Sequence, residues 1–344
     1  VYSYSYAVIN KLENNYNHEV HLIHWGKNKF AKMHNDFYSP SYKVDLRGNR
    51  FFILLKKVRN INPDVIVIPG WNDKAYLAVA LWARLKNIPV VCTLDTQYTA
   101  SFKQVLARYL GFSFLKNIFY SHVWIPGHPQ FYTSIMLGFK RNQIIYDLLS
   151  ADSDIFQRIS LPEKKIQTDK QINFLFVGRL EEEKGVGALI SAWKKLSNAN
   201  DQWSLTIVGS GSLIDDFIGL KNVACKGYLD PYEVSLLMRS MDCFILPSYN
   251  EPWGLVIHEA ALSGLPIICT INCGASSSFV IDEYNGFLVN KGDVESLILA
   301  MNSYANLTSQ DKVKYSQRSM ELGGRVTSST SAAQFNSMLL SLDV

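Results

Sequence analysis

Short apolar runs alternate with amphipathic stretches along most of the chain. Glu19–Trp25, Asp64–Pro69, Pro89–Leu94 and Ser121–Pro126 read as strands. Between them Arg50–Asn60, Lys74–Leu85 and Ser101–Phe119 space their apolar residues as helices do. Apolar strands joined through helices imply parallel sheets buried on both faces. The stretch Ala151–Pro162, with its Ser, Asp and Pro, reads as a linker, after which the alternation restarts. Asn173–Val177, Trp203–Val208, Cys243–Pro247 and Pro266–Thr270 are the predicted strands of the second half. Its predicted helices are Gly187–Leu196, Tyr232–Met241, Leu255–Ser263, Val294–Tyr304 and Ser331–Leu342. No fixed-period repeat is visible, so the expectation is an α/β chain of two similar domains. Their expected bounds are 1–157 and 163–325, with 326–344 a helix packing back toward the first domain.

Ligands of open parallel sheets bind beyond the carboxyl ends of the strands. In the first half that rule selects Gly70, Trp71 and Asn72, then Asp95 and Thr96, then Gly127 and His128. In the second half it selects Gly178 and Arg179, Gly209–Gly211, Ser248–Glu251 and Asn272–Ala275.

A length of 344 residues, 48% hydrophobic and 19% charged, supports two cores of ordinary size. No run of about 18 apolar residues suggests a membrane span, and no secretory signal pattern opens the chain. Four of the five cysteines sit in or beside apolar strand-like runs and are expected to pack as small hydrophobes; Cys269 and Cys273 lack zinc spacing, and a reducing cytoplasm is expected. His18, His21 and His24 alternate in direction on one strand and do not converge on an ion. Charge is uneven. Residues 1–160 hold 12 Lys and 7 Arg against 10 acids, a balance of +9, whereas 161–344 hold 11 Lys and 4 Arg against 20 acids, a balance of −5. The first half is therefore expected to meet something anionic. The absence of a basic run or aromatic-interleaved motif argues against nucleic acid.

Three motifs carry the candidate chemistry. In Phe176–Gly185 a strand ends at Gly178, and Arg179 and Lys184 bring two cations to the loop, an arrangement suited to a diphosphate. The same residues also suit a helix start in which Glu181–Glu183 favour the dipole and pair with Lys184. In Val208–Ser212 the Gly209–Ser–Gly211 turn follows a strand, a weak nucleotide-binding signal equally at home in a plain tight turn. In Leu246–Ala260, Glu251 lies in a Pro- and Gly-bounded loop and Glu259 in the second turn of the helix that follows. The amides of Gly254, Leu255 and Val256 would open that helix as an anion site.

On these motifs the second half resembles the donor domain of family-four retaining glycosyltransferases, strongly over residues 172–290 and weakly elsewhere. The resemblance implies the GT-B fold: two facing Rossmann-like domains with parallel sheets and an interdomain cleft. It implies that Glu251 and Glu259 form the family's Glu-x7-Glu motif, with Glu259 on the ribose and Glu251 on the transferred sugar. Arg179 and Lys184 would hold the donor pyrophosphate, and Gly227 and Tyr228 would lie near the base. Neither metal nor cofactor is implied, because cations and helix amides neutralise the leaving diphosphate. The expected partners are a UDP- or GDP-sugar and a glycan acceptor, lipid-linked in surface polysaccharide synthesis. Glu251 and Asp95 are the expected residues nearest the reacting bond, with Trp71, Asn72, Thr96 and His128 on the acceptor side. Three features depart from the family: Val1–Tyr6 lacks the opening strand and Gly-rich loop, Asp95 replaces a common histidine, and the glutamate common near Ser278 is missing.

Residues 102–120 interleave Phe102, Leu106, Leu110, Phe112, Phe114, Leu115 and Phe119 with Lys103, Arg108 and Lys116. Such a segment docks on an anionic membrane surface or packs as a helix on the sheet; the basic first half favours the membrane. A non-catalytic GT-B subunit and a nucleotide-sugar epimerase are the competing readings.

Overall fold

The computed structural model describes residues 3–24, 41–43, 50–99, 104–105, 112–157, 172–197 and 201–342. The chain divides into two compact units, residues 1–150 with 328–344, and residues 151–327.

In the first unit, α1 (Ser3–Tyr16) precedes β1 (Leu22–His24), β2 (Ser41–Lys43), α2 (Arg50–Ile61), β3 (Ile66–Pro69) and α3 (Lys74–Leu85). Then come β4 (Val90–Thr93), α4 (Phe112–Phe119), β5 (His122–Trp124), α5 (His128–Met136) and β6 (Ile144–Ile145). Strands β3-β4-β5-β6 form a parallel sheet in that order, and β1-β2 pair separately. The start of α3 is set locally: Asp73 accepts the Ala75 amide at 2.8 Å, and the helix buries Ala75, Val79, Ala80 and Ala83. The opening helix α1 was not evident from the Ser- and Tyr-rich start. It buries Val8 and Leu12 in a cluster with Trp124, Ala332, Phe335 and Leu339 of the same unit, so the final helix (Ser328–Leu340) completes this core.

Of the expected linker 151–162, the described residues 151–157 are not plain coil, and the rest lies outside the described residues. Ser153–Phe156 form a helical turn, α6, capped by Asp152, and Ala151 and Phe156 are buried. Of the expected helix 101–119, the described part is 104–105 and 112–119; residues 102–103 and 106–111 of the segment expected to dock on a membrane lie outside the described residues. Lys116 does not face outward: it is 3% exposed, donates to Gln143 Oε1 at 2.9 Å and lies 4.7 Å from the Phe139 ring centroid. Among the described residues no helix is long and apolar enough to cross a membrane.

The second unit contains β7 (Ile172–Val177), α7 (Val186–Ser197), β8 (Trp203–Val208), β9 (Val223–Cys225), α8 (Pro231–Ser240) and β10 (Cys243–Leu246). There follow α9 (Leu255–Leu262), β11 (Ile267–Thr270), α10 (Ser276–Phe279), β12 (Gly286–Val289), α11 (Val294–Ala305) and α12 (Ser309–Gly324). All six strands are parallel, ordered β9-β8-β7-β10-β11-β12. Numbered from β7, that is 3-2-1-4-5-6, the Rossmann order, whose direction reverses between β7 and β10. The central strands β10 and β11 are buried at every position, as their unbroken apolar runs require. Cys92, Cys243, Cys269 and Cys273 are buried free thiols and Cys225 is exposed.

Candidate functional site

The sheet order brings the three motifs together at the carboxyl ends of β8, β7 and β10. The loops after β7 and β8 are zipped by main-chain bonds, Gly178 N to Val208 O at 3.0 Å and Leu180 N to Ser210 O at 2.9 Å. Gly209 has φ +132°, and a Cβ there would lie 1.9 Å from the carbonyl oxygen of Gly178. A Cβ on Gly211 would lie 2.4 Å from that of Leu180. These two glycines are thus explained by loop-on-loop packing, whereas a Cβ on Gly178 would meet only its neighbour Phe176, at 3.4 Å. Gly227, at φ +67°, accepts the Gly209 amide at 2.7 Å, which brings the loop after β9 to the same edge; Tyr228 beside it is exposed.

At the switch point the loops after β7 and β10 lock together. The Tyr249 amide donates to Glu183 O at 2.9 Å, and Gly185 leaves room for the Pro247 carbonyl. Lys184 and Glu251 form an ion pair across this seam. Arg179 is largely exposed and pairs with Glu183. Both expected diphosphate cations therefore already hold a carboxylate, and the partner of Lys184 is Glu251, where the helix-start reading expected Glu181–Glu183. Glu181 is tied by the hydroxyl and amide of Ser212, at 2.6 and 3.0 Å, which hold its carboxyl below the usual range.

Main-chain bonds brace the Glu251 loop. Its carbonyl accepts the Gly274 amide at 3.0 Å, and Ala275 N donates to Trp253 O at 2.7 Å. Gly254 then turns the chain into α9 with φ +87°, and a Cβ on it would come within 2.8 Å of Glu251 Cγ. The amides of Leu255 and Val256, in the first turn of α9 beside this carboxylate, have no acceptor within the helix, whereas that of Ile257 donates to Gly254 O at 2.9 Å. One turn on, Glu259 is partly buried; desolvation, then the charge of Asp152, push its carboxyl up to about 7. A neutral carboxyl donates one hydrogen bond as well as accepting.

The first-half candidates line one edge of their own sheet. Trp71 and Asn72 follow β3, Asp95 and Thr96 follow β4, and His128 opens α5 after β5. Asp95 and Thr96 are exposed, and the Asp95 carbonyl accepts from Gln130 Nε2 at 2.9 Å. Trp71 packs in part against the core cluster of this unit. His128 is exposed, its ring 5.1 Å from Tyr132 in an edge-on contact. Among the described residues no group of three His, Cys, Asp or Glu could hold a metal ion. Sequence reasoning passed over Asp152 and His258, both beside Glu259, although His258 stands within the third motif.

Residues 157–320 match the family described as glycosyl transferases group 1. Glycogen synthase of Mycobacterium tuberculosis is 38% identical over 136 residues, 38% of this chain and 33% of that protein, so the chain matches about a third of that relative's length. Alpha-monoglucosyldiacylglycerol synthase of Acholeplasma laidlawii is 24% identical over 314 residues, 80% of this chain and 78% of that protein. The crystal structure of Anabaena HepE in complex with UDP-glucose has a TM-score of 0.75 at 21% identity, covering 99% of this chain and 96% of that one. The fold is GT-B.

Proposed function

We propose, on the match of residues 157–320 to the group 1 glycosyltransferases, a retaining enzyme that moves a sugar from UDP- or GDP-sugar to a glycan acceptor. One observation carries the reading: the part-buried Lys184–Glu251 pair sits at the topological switch point, beside the open amides of α9. An incoming diphosphate draws Lys184 and Arg179 from their carboxylates, and the amides of Gly254, Leu255 and Val256 complete its cradle. Glu251, released from the ammonium, accepts hydrogen bonds from hydroxyls of the transferred sugar. Glu259 meets the ribose, and the backbone at Gly178, Gly209, Gly211 and Gly227 with Tyr228 bounds the nucleotide. Negative charge growing on the leaving group is met by fixed donors, so the step needs no metal.

The acceptor reading assigns Asp95, Trp71, Asn72, Thr96 and His128 to the first unit. Its balance of +9 over residues 1–160 suits an anionic acceptor or a membrane surface. A relative named for making a glucosylated diacylglycerol supports a lipid-linked glycan, as in surface polysaccharide synthesis at the inner face of a membrane. HepE, crystallised with UDP-glucose, supports a nucleotide-sugar donor. The test is donor turnover in Arg179→Ala and Glu251→Ala; rates equal to wild type in both remove the mechanism.

A further inference from the structure

The chain enters its second unit at Ala151 and leaves it at Thr327, and one side chain ties both places to the α9 helix. His258 is 0% exposed and its ring lies flat on Phe279, centroids 4.1 Å apart and planes 6° from parallel. Its Nδ1 accepts the main-chain N–H of Ala151 at 3.0 Å, while Nε2 faces the carbonyl oxygens of Gly323 and Val326, each at 3.0 Å. These partners dictate the tautomer. An amide only donates, so Nδ1 is bare; two carbonyls only accept, so Nε2 carries the hydrogen. Burial holds this neutral ring down to about 4, against the pull of the two carbonyls.

Each end of this tie adjoins a carboxylate. Glu259 follows His258 in α9, and Asp152 follows Ala151, where it caps α6 by accepting the Asp154 amide at 3.1 Å. The elements packed on α9 carry other ionisable groups. They are Asp154 on α6, Cys269 on β11, and Asp311, Lys312, Lys314, Tyr315, Arg318 and Glu321 on α12, with Arg325 just beyond it. Besides burial, the group that perturbs Glu259 is Asp152.

We propose that His258 is a positioning residue: by fastening Ala151 to α9 it keeps Asp152 beside Glu259, and so sets which hydrogen bonds Glu259 offers the nucleotide. With Asp152 in place, Glu259 donates to an acceptor oxygen as well as accepting from a hydroxyl. With Asp152 withdrawn, burial alone holds the proton, so Glu259 ionises more readily, and its ionised form only accepts. The proposal rests on the reading of Glu259 as a nucleotide contact.

The test follows the dissociation constant of UDP from the full chain by calorimetry between pH 5.5 and 9. Asp152→Asn and His258→Leu are each expected to move the break in affinity to lower pH by a similar amount, on the order of half a unit or more. The double variant moves it no further, because both changes act through one contact. His258→Gln, whose amide accepts and donates in place of the two ring nitrogens, keeps the wild-type break. A break unmoved in Asp152→Asn overturns the proposal, as does a His258→Leu variant that melts earlier with its break in place. Additive shifts in the double variant overturn it too. If His258→Leu does not fold, Asp152→Asn and His258→Gln decide the matter. Wild-type protein that binds neither UDP nor GDP at any pH overturns the donor-site reading and this inference together. Binding with unmoved breaks overturns this inference alone.

Discussion

Lys184 and Glu251, 67 residues apart in sequence, meet as an ion pair whose side chains are 15% and 11% exposed. An ion pair so removed from water stabilises the fold weakly on balance, because desolvation offsets much of the attraction, but losing one partner strands the other. Its position between the two loops of the switch point gives it a second consequence: whatever anion enters must share or displace it.

Lys184→Ala and Glu251→Ala are each expected to cost about 2–3 kcal/mol of stability, near the lower end for a stranded charge because the pair retains some solvent. Lys184→Met with Glu251→Gln recovers part of that loss, since no bare charge remains. Donor turnover falls about a hundredfold or more in all three. Urea unfolding beside a turnover assay measures both; a double variant less stable than either single one contradicts the argument.

Gly254→Ala places a Cβ in a backbone of φ +87° and 2.8 Å from Glu251 Cγ. The left-handed conformation alone costs about 1–2 kcal/mol, and the added carbon displaces the Glu251 side chain. Turnover is expected to fall further than stability does. A variant that melts earlier yet turns over donor at the wild-type rate would show that Glu251 needs no fixed place.

Gly209 and Gly227 separate two reasons for glycine. A Cβ on Gly209 meets the Gly178 carbonyl at 1.9 Å, whereas one on Gly227, at φ +67°, meets nothing within 4 Å. Gly227→Ala is therefore expected to cost about 1–2 kcal/mol and to fold. Gly209→Ala forces two loops apart and should fall well below it in melting temperature or fail to accumulate. Equal melting temperatures would refute the packing account.

Stability against pH should reveal His258 and Glu259 as opposing neighbours. His258 stays neutral down to about 4, while an unfolded histidine protonates near 6.5. Between those values the unfolded chain binds the extra proton, so this contribution rises with pH, by up to about 1.4 kcal/mol per unit. Glu259 stays protonated up to about 7 in the fold and ionises near 4.5 when unfolded, so its contribution falls as pH rises over that range. The two slopes oppose one another from about 4.5 to 6.5. Glu259→Gln should make the urea midpoint climb more steeply with pH than in wild type, and His258→Gln less steeply. Parallel curves would exclude these shifts.

Asp95→Ala removes an exposed carboxylate from the edge of the first sheet. Transfer to acceptor is expected to drop at least tenfold while UDP affinity stays within a factor of two, consistent with a role confined to the acceptor. A matching loss of UDP affinity would move Asp95 to the donor.

Much of the architecture was legible before any coordinates. Lys74–Leu85 and Trp203–Val208 have their predicted bounds because each is set within a few residues, by the Asp73 cap in one and a buried run in the other. The sequence likewise placed Glu251 in a loop and Glu259 one turn into a helix, since Pro252 and Gly254 punctuate that stretch by their own backbone preferences. The opening helix was hidden because its apolar positions have no local partner; they are satisfied by Phe335 and Leu339, more than three hundred residues away. The same holds at the site. Periodicity and caps act over a few residues, but which loops adjoin depends on strand order, which long-range packing decides. Only the tertiary structure set Lys184 on Glu251, turned Gly209 into a packing necessity and seated His258 on both connections of its unit.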